Sequence, residues 1–263
     1  SGERPNPAMN ICKTKGIVLK GRRFRDSSQI LTLFTQKFGK LQVLAKGVKL
    51  PKSRLAGNVQ QFSIIEVVFY KKEQSELHLL SQVDLIDPQE EIYRNLIRLS
   101  YASAVLELVD RLTVEEEGHP GLFALLQETL EKFKAVSEEK LPLLVWSFAL
   151  RLAANLGYRP NLAGCAVCRR KDLDSKLILF SAEQGGLVCK NCTEPGSFYL
   201  KLTPGSWEVM KRMLQAGSLD LEKIQANSKQ LQEISDIILS LLEYHAQTQK
   251  SLKSLEFLEK LKV

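Results

Sequence analysis

Apolar and polar residues alternate over the first third of the chain and recur at helical spacing over most of the rest. Within 40–46, Leu41, Val43 and Ala45 fall on one side of an extended strand, while Lys40, Gln42 and Lys46 fall on the other. Runs at 16–20, 29–35, 40–46, 62–70 and 76–83 are rich in β-branched or aromatic residues, and clusters of Gly, Ser, Asp and Pro separate them. This predicts five short strands. Five strands in about 75 residues fit a small closed barrel, which removes exposed edges. An OB-fold is favoured; pattern alone leaves an SH3-like barrel open.

The period changes at Asp87. "DPQE" offers Asp87 as a cap, Pro88 at the first helical position and Glu90 three residues after the cap. Ile92, Leu96, Leu99, Leu106 and Val109 then recur at helical spacing, predicting a helix to about Leu112. Further helices are predicted near 120–134, at 138–156 with a stop at Gly157, from Thr203–Pro204 onward, and over 228–249. Trp146, Phe148 and Trp207 fall at helical positions and are expected to pack in cores. Glu115, Glu116 and Glu117 precede Gly118 in what reads as a solvated turn between helices. The expected class is therefore α+β. A barrel domain occupies 1–86, with 1–8 a tag-like remnant and Met9 a plausible native start. A helical domain occupies 87–263 and contains a cysteine module at 164–193.

That module holds four of the five cysteines. Cys165 and Cys168 form one C-x-x-C pair, Cys189 and Cys192 another, a spacing that fits a two-knuckle zinc site. Two residues between thiolates let one tight turn aim both sulfurs at a point about 2.3 Å away. Gly164 and Gly185–Gly186 relieve the crowding of such turns. Four ligands close the coordination sphere, so one structural Zn²⁺ is expected, with a redox dithiol or an iron–sulfur cluster as alternatives. The chain shows no leader and no run of eighteen apolar residues, so reduced, metal-binding cysteines are expected in place of disulfides. Cys12 reads as an incidental thiol.

Charge sharpens the picture. Residues 1–80 carry 15 Lys and Arg against 5 Asp and Glu, while the remainder carries 22 against 25. A basic barrel on a near-neutral remainder suggests a polyanionic partner. Two connecting segments concentrate the charge: 20–26, with Lys20, Arg22, Arg23 and Arg25 around Phe24, and 45–58, with Lys46, Lys49, Lys52 and Arg54 and no acid. With Lys40 on the outward side of the third strand, these nine cations are the candidate nucleic-acid contacts. Basic side chains along a loop track phosphates, and an interleaved aromatic can stack on a base. No catalytic constellation accompanies them. His78, His119 and His245 lie on different predicted elements, and no phosphate-cradling glycine loop or metalloprotease motif occurs. The expectation is a binding protein and not an enzyme.

The stretches "GIVLKGRRFRDSSQILTLFTQKFGKL", "AKGVKLPKSRLAGNVQQFSIIEV", "LRLAANLGYRPNLAGCAVC", "FSAEQGGLVCKNC" and "KSLEFL" follow in order from 16 to 258, and together the chain resembles the RecO family of bacterial recombination mediators. The resemblance implies an N-terminal OB-fold, a helical domain with an inserted zinc module, and a cytoplasmic, nucleoid-associated protein without enzymatic turnover. It implies binding to single- and double-stranded DNA and annealing of complementary strands. It further implies cooperation with RecR, contact with the C-terminal tail of the single-stranded-DNA-binding protein SSB, and loading of RecA. Two departures stand out. Arg169–Arg170 follows the first knuckle where many relatives have glycine, and Ser28–Gln29 stands where an acidic residue is common. Some relatives lack the cysteines, which implies that the metal supports the fold, and no DNA contact is assigned to the module. The competing class is a zinc-ribbon, OB-fold protein that associates with RNA or the ribosome; charge and cysteines suit it equally.

Overall fold

The computed structural model describes residues 10–48, 57–71, 75–173, 178–215 and 221–246. The chain forms two compact units, Ser1–Ala135 and Val136–Val263. In the first, β1 (Asn10–Phe24), β2 (Ser28–Thr35), β3 (Gly39–Ala45), β4 (Ile64–Lys71) and β5 (Leu77–Asp87) close a barrel in the order β1-β2-β3-β5-β4. This is the five-stranded OB-fold expected from the alternation. β1 is far longer than the predicted 16–20. Its first half pairs with β4, Asn10 opposite Lys71 to Ile17 opposite Ile64. Its second half pairs with β2, Gly16 opposite Thr35 to Phe24 opposite Ser28, with a bulge between Val18 and Lys20. One bent strand thereby serves both neighbours, so its polar ends are held by ladder hydrogen bonds and not by burial. Val18, Leu31, Leu33, Leu41, Val43, Ala45, Ile65, Val67 and Phe69 fill the interior, as the alternation in β3 required.

β3 and β5 run parallel and pair only from Gln42–Leu77 to Leu44–Leu79. The acidic segment after the next helices extends this short seam. Glu115 bridges to Lys40, Glu116 N–H donates to Lys40 O at 2.7 Å, and Gln42 Nε2 donates to Glu115 Oε1 at 2.9 Å. Glu116 Oε2 lies 2.6 Å from Lys71 Nζ, and its Oε1 lies 3.2 Å from Nε2 of the buried His78. A Cβ on Gly39, at φ +64°, would sit 1.8 Å from Glu117 O, so only glycine admits the segment there. The expected solvated turn is therefore a closing piece of the barrel. Its polar sequence conceals this because it docks by ion pairs and backbone hydrogen bonds.

The Lys71 ammonium beside Glu116 holds that carboxyl below its ordinary 4.5, with burial opposing and His78 assisting. The stability it contributes is present above pH 4.5 and is lost as pH falls through the lowered folded value. Glu116→Gln should cost on the order of 1 kcal/mol, discounted for partial exposure, and lower the melting temperature by about 2–4 °C at neutral pH. The gap between variant and wild type should close on acidification below 4.5, read by melting curves across pH.

The helix expected from Asp87 is divided. Gln89 adopts φ +56°, a four-residue helix α1 spans Glu90–Tyr93, and α2 (Leu96–Leu112) begins afresh with Asn95 Oδ1 accepting from Arg98 N–H at 2.9 Å. The Tyr93 ring meets Phe62 edge-on at 5.6 Å, which pins α1 to the barrel and prevents continuation. Asp87 ends β5 and accepts from Gln89 N–H at 2.9 Å, so it caps a turn and not a long helix. α3 (Pro120–Ala135) follows, with Phe123 stacked on Phe34 of β2 at 6.5 Å.

In the second unit a 3₁₀ turn (Glu138–Lys140) leads into α4 (Leu141–Asn155), which stops at Gly157 with φ +91°. Phe148 is buried as expected, whereas Trp146 is half-buried. Strands β6 (Ile178–Ser181), β7 (Gly186–Val188) and β8 (Leu200–Leu202) form a small sheet in the order β7-β6-β8. Two helices close the unit: α5 (Pro204–Leu214), capped by Thr203, and α6 (Ser228–Ala246). The last predicted turn of α6, 247–249, lies outside the described residues.

Candidate metal centre and nucleic-acid interface

Backbone hydrogen bonds build the cysteine module. Cys165 N–H donates to Arg170 O and Arg169 N–H to Cys165 O, both at 2.9 Å, which closes the first knuckle. Ala166 N–H donates to Leu187 O at 2.7 Å, tying that knuckle to β7. β7 delivers Cys189 directly, and Cys192 N–H bonds back to Cys189 O at 2.9 Å. A Cβ on Gly186 would lie 2.6 Å from Asn161 O, so the linker from α4 passes against bare backbone. The small sheet that aims the second pair was not anticipated, because its strands are three or four residues long and carry too few positions to show a period.

The four sulfurs lie within 4.8 Å of one another. Tetrahedral thiolate ligation of zinc at about 2.3 Å places sulfurs about 3.8 Å apart, and Cys168 Sγ lies 3.7 Å from Cys189 Sγ. That separation is far beyond a disulfide bond of about 2.05 Å. Cys189 N–H points at Cys165 Sγ at 3.4 Å, the polarity a thiolate ligand requires. Burial opposes ionisation of Cys165, yet the amides of Cys168, Cys189 and Val167 hold its thiol at about 6. Cys192 is pushed up to about 12 by hydrogen bonding with Cys189 and Cys168, then by burial and by Cys165. Ionisation is thus favoured at one sulfur and opposed at another, as expected of four thiols crowded into one site. The residues fit a four-thiolate metal ion.

Arg169 takes φ +62°, a left-handed conformation that favours glycine. A left-handed conformation costs an L-residue about 1–2 kcal/mol, and the adjacent Gly164, whose Cβ would meet Arg170 O at 2.6 Å, cannot yield.

On the barrel, register joins the two basic segments. Gln29 pairs with Arg23 on one side and Ala45 on the other. The β1–β2 hairpin tip and the start of the β3–β4 connection at Lys46 therefore lie at the same end. Arg22, Arg23, Arg25 and Lys46 are all exposed there. Arg25 lies over the Phe24 ring, 5.3 Å from its centroid, and Arg22 Nη2 reaches Gln42 Oε1 at 3.4 Å. Lys49, Lys52 and Arg54 lie outside the described residues. The other two candidates are engaged inside the unit. Lys20 pairs with the Asp110 carboxylate of α2, and Lys40, with its side chain 11% exposed, donates to Asp110 O at 2.5 Å. Burial lowers the pKa of Lys40, with Asp110 opposing that shift. Asp110 went unnoticed in the sequence because it meets Lys20 across 90 residues, beyond any local pattern.

In the second unit, Trp207 Nε1 donates to Leu162 O at 2.9 Å and Lys211 Nζ lies 4.4 Å from the Trp207 centroid, so this tryptophan anchors α5 to the linker. Beside it a cleft of about 450 Å³ has Pro160, Leu162 and Leu214 as apolar lining and Arg159 and Lys211 as cations. No helix among the described residues is long and apolar enough to cross a membrane.

Residues 9–89 match the family model "Recombination protein O N terminal", and residues 93–256 match "Recombination protein O C terminal". The DNA repair protein RecO of Symbiobacterium thermophilum is 31% identical over 97% of this chain and 99% of its own length. The RecO proteins of Desulforamulus reducens and Caldanaerobacter subterraneus are each 31% identical over 96% of this chain, covering 96% and 99% of their own lengths. Both family models and full-length relatives thus agree with the barrel and helical parts just described, and the chain belongs to the RecO family of DNA repair proteins.

Proposed function

We propose that the protein is a recombination mediator that binds single- and double-stranded DNA, anneals complementary strands and, with RecR, helps RecA replace SSB. The observation that carries this is the cluster of Arg22, Arg23, Arg25 and Lys46 at one end of the barrel, where register brings two basic segments together. Side chains of this kind contact phosphates without reading base edges, so any sequence is accepted. Positive charge screens the repulsion between two strands and leaves base pairing to select the match. The action is binding without turnover, in a bacterial cytoplasm at the nucleoid. One Zn²⁺ held by Cys165, Cys168, Cys189 and Cys192 organises the second unit and takes no part in chemistry. The cleft with Arg159 beside Pro160, Leu162 and Leu214 suits an acidic, apolar peptide, which is the character of the SSB tail.

The test mixes complementary SSB-coated strands with the protein at moderate salt, with and without RecR. Annealing should be faster than with SSB alone and should slow when SSB lacks its tail. Equal rates in all mixtures would refute the mediator reading. Preference for RNA over DNA of the same sequence would favour the ribosome-associated alternative.

A further inference from the structure

Among the described residues, several cations are engaged by acids. Lys13, Lys20, Lys71, Lys134 and Lys211 each meet a carboxylate. The cysteine module is different. Arg169, Arg170, Lys171 and Lys190 are all exposed, and among the described residues none of them has a carboxylate within 4.0 Å. Arg169 directly follows Cys168 and Lys190 directly follows Cys189, and these two cysteines have their sulfurs 3.7 Å apart. The sulfur cluster therefore gathers cations from two separate chain segments onto one end of the module. A divalent ion held by four thiolates carries two negative charges, which four cations exceed.

Arg169 adds an independent observation. It occupies φ +62°, where glycine would be free of strain, and no described side chain rewards its presence. A strained, exposed residue whose side chain makes no hydrogen bond or ion pair among the described residues marks a candidate functional position. We propose that Arg169, Arg170, Lys171 and Lys190 form a second surface for the phosphodiester backbone of a nucleic acid, distinct from the barrel. The proposal rests on the reading of the protein as DNA-binding and extends it. With two anion surfaces, one chain can hold a strand on each, the condition that annealing sets. Val167, half exposed at the knuckle between the two cysteines, offers apolar contact beside the charges.

Arg169→Gly separates fold from function, because it removes the charge while relieving the backbone. The full-length Arg169→Gly and Arg169→Gly/Arg170→Ser proteins should keep one metal per chain and melt no lower than wild type. The double variant should bind a single-stranded oligonucleotide about threefold to tenfold more weakly, with the slope of log K against log salt reduced by about 1.4, two phosphates' worth. Annealing should slow at least as much. Unchanged affinity and slope in the metal-loaded double variant would overturn the proposal. So would loss of the metal from Arg169→Gly, since the arginine would then serve the fold. Barrel variants at Arg22, Arg23 and Lys46 measured in parallel keep the two readings apart. Loss in the barrel set alone sinks this surface, and loss in the knuckle set alone sinks the barrel site.

Discussion

Removing the metal is expected to unfold the segment from Gly164 to Thr193 while the barrel persists. Without a cation, up to four thiolates within 4.8 Å would face one another, and the short ladders of β6, β7 and β8 with a few backbone hydrogen bonds would have to hold the knuckles. Those ladders span three residue pairs each and cannot stand alone. Structural zinc typically supplies on the order of 10 kcal/mol to a site of this kind, far more than the small sheet can replace. Elemental analysis of untagged protein should find close to one zinc per chain. A strong chelator should release it, and hydrogen exchange in 178–188 should accelerate by orders of magnitude while exchange in β2 and β3 stays slow. Cys165→Ser should mimic chelation, because Cys165 is fully buried and accepts the Cys189 amide. A reproducible absence of metal in protein purified without chelator, or unchanged exchange after chelation, would refute the assignment.

Much of this architecture is legible in the sequence because its signals are local. Alternation in 40–46 places Leu41, Val43 and Ala45 in the core, and C-x-x-C spacing brings four sulfurs together. The Thr203 cap and the Gly157 stop follow from single residues. What escaped is what depends on distant partners. The division of the helix after Asp87 comes from Tyr93 bonding to the barrel around Phe62 and Gln61, which no window of helical periodicity contains. The acidic triplet at 115–117 reads as solvent-facing by composition, yet Lys71 and His78 hold it, and both lie far away in sequence. The same limit governs the candidate interface. Composition ranks nine cations alike, whereas the fold commits Lys20 and Lys40 to Asp110 and leaves Arg22, Arg23, Arg25 and Lys46 outward.

That division among the cations yields the sharpest expectation for DNA binding. Replacing Arg22, Arg23, Lys46, Lys49, Lys52 and Arg54 with neutral residues should weaken single-strand binding by about two orders of magnitude at 0.1 M salt, alike for all sequences. The wild-type slope of log K against log salt should be about −3 to −4, as four to six neutralised phosphates on a single strand require, and the variant should keep only a shallow slope of about −1.4 from Arg169 and Arg170. Substitutions at Lys20 and Lys40 should behave otherwise. Lys40→Met removes a donor from Asp110 O and a charge that burial already disfavours, so its effect should appear in the melting temperature. Lys20→Ser releases the Asp110 carboxylate to solvent and should change affinity by less than about threefold, since an exposed pair contributes little. Fluorescence anisotropy with a labelled oligonucleotide at several salt concentrations separates the two groups. If Lys20 and Lys40 govern the slope while the six-site variant binds as wild type, phosphates travel along the outer faces of β1 and β3 beneath Asp110, and α2 must move aside to admit them.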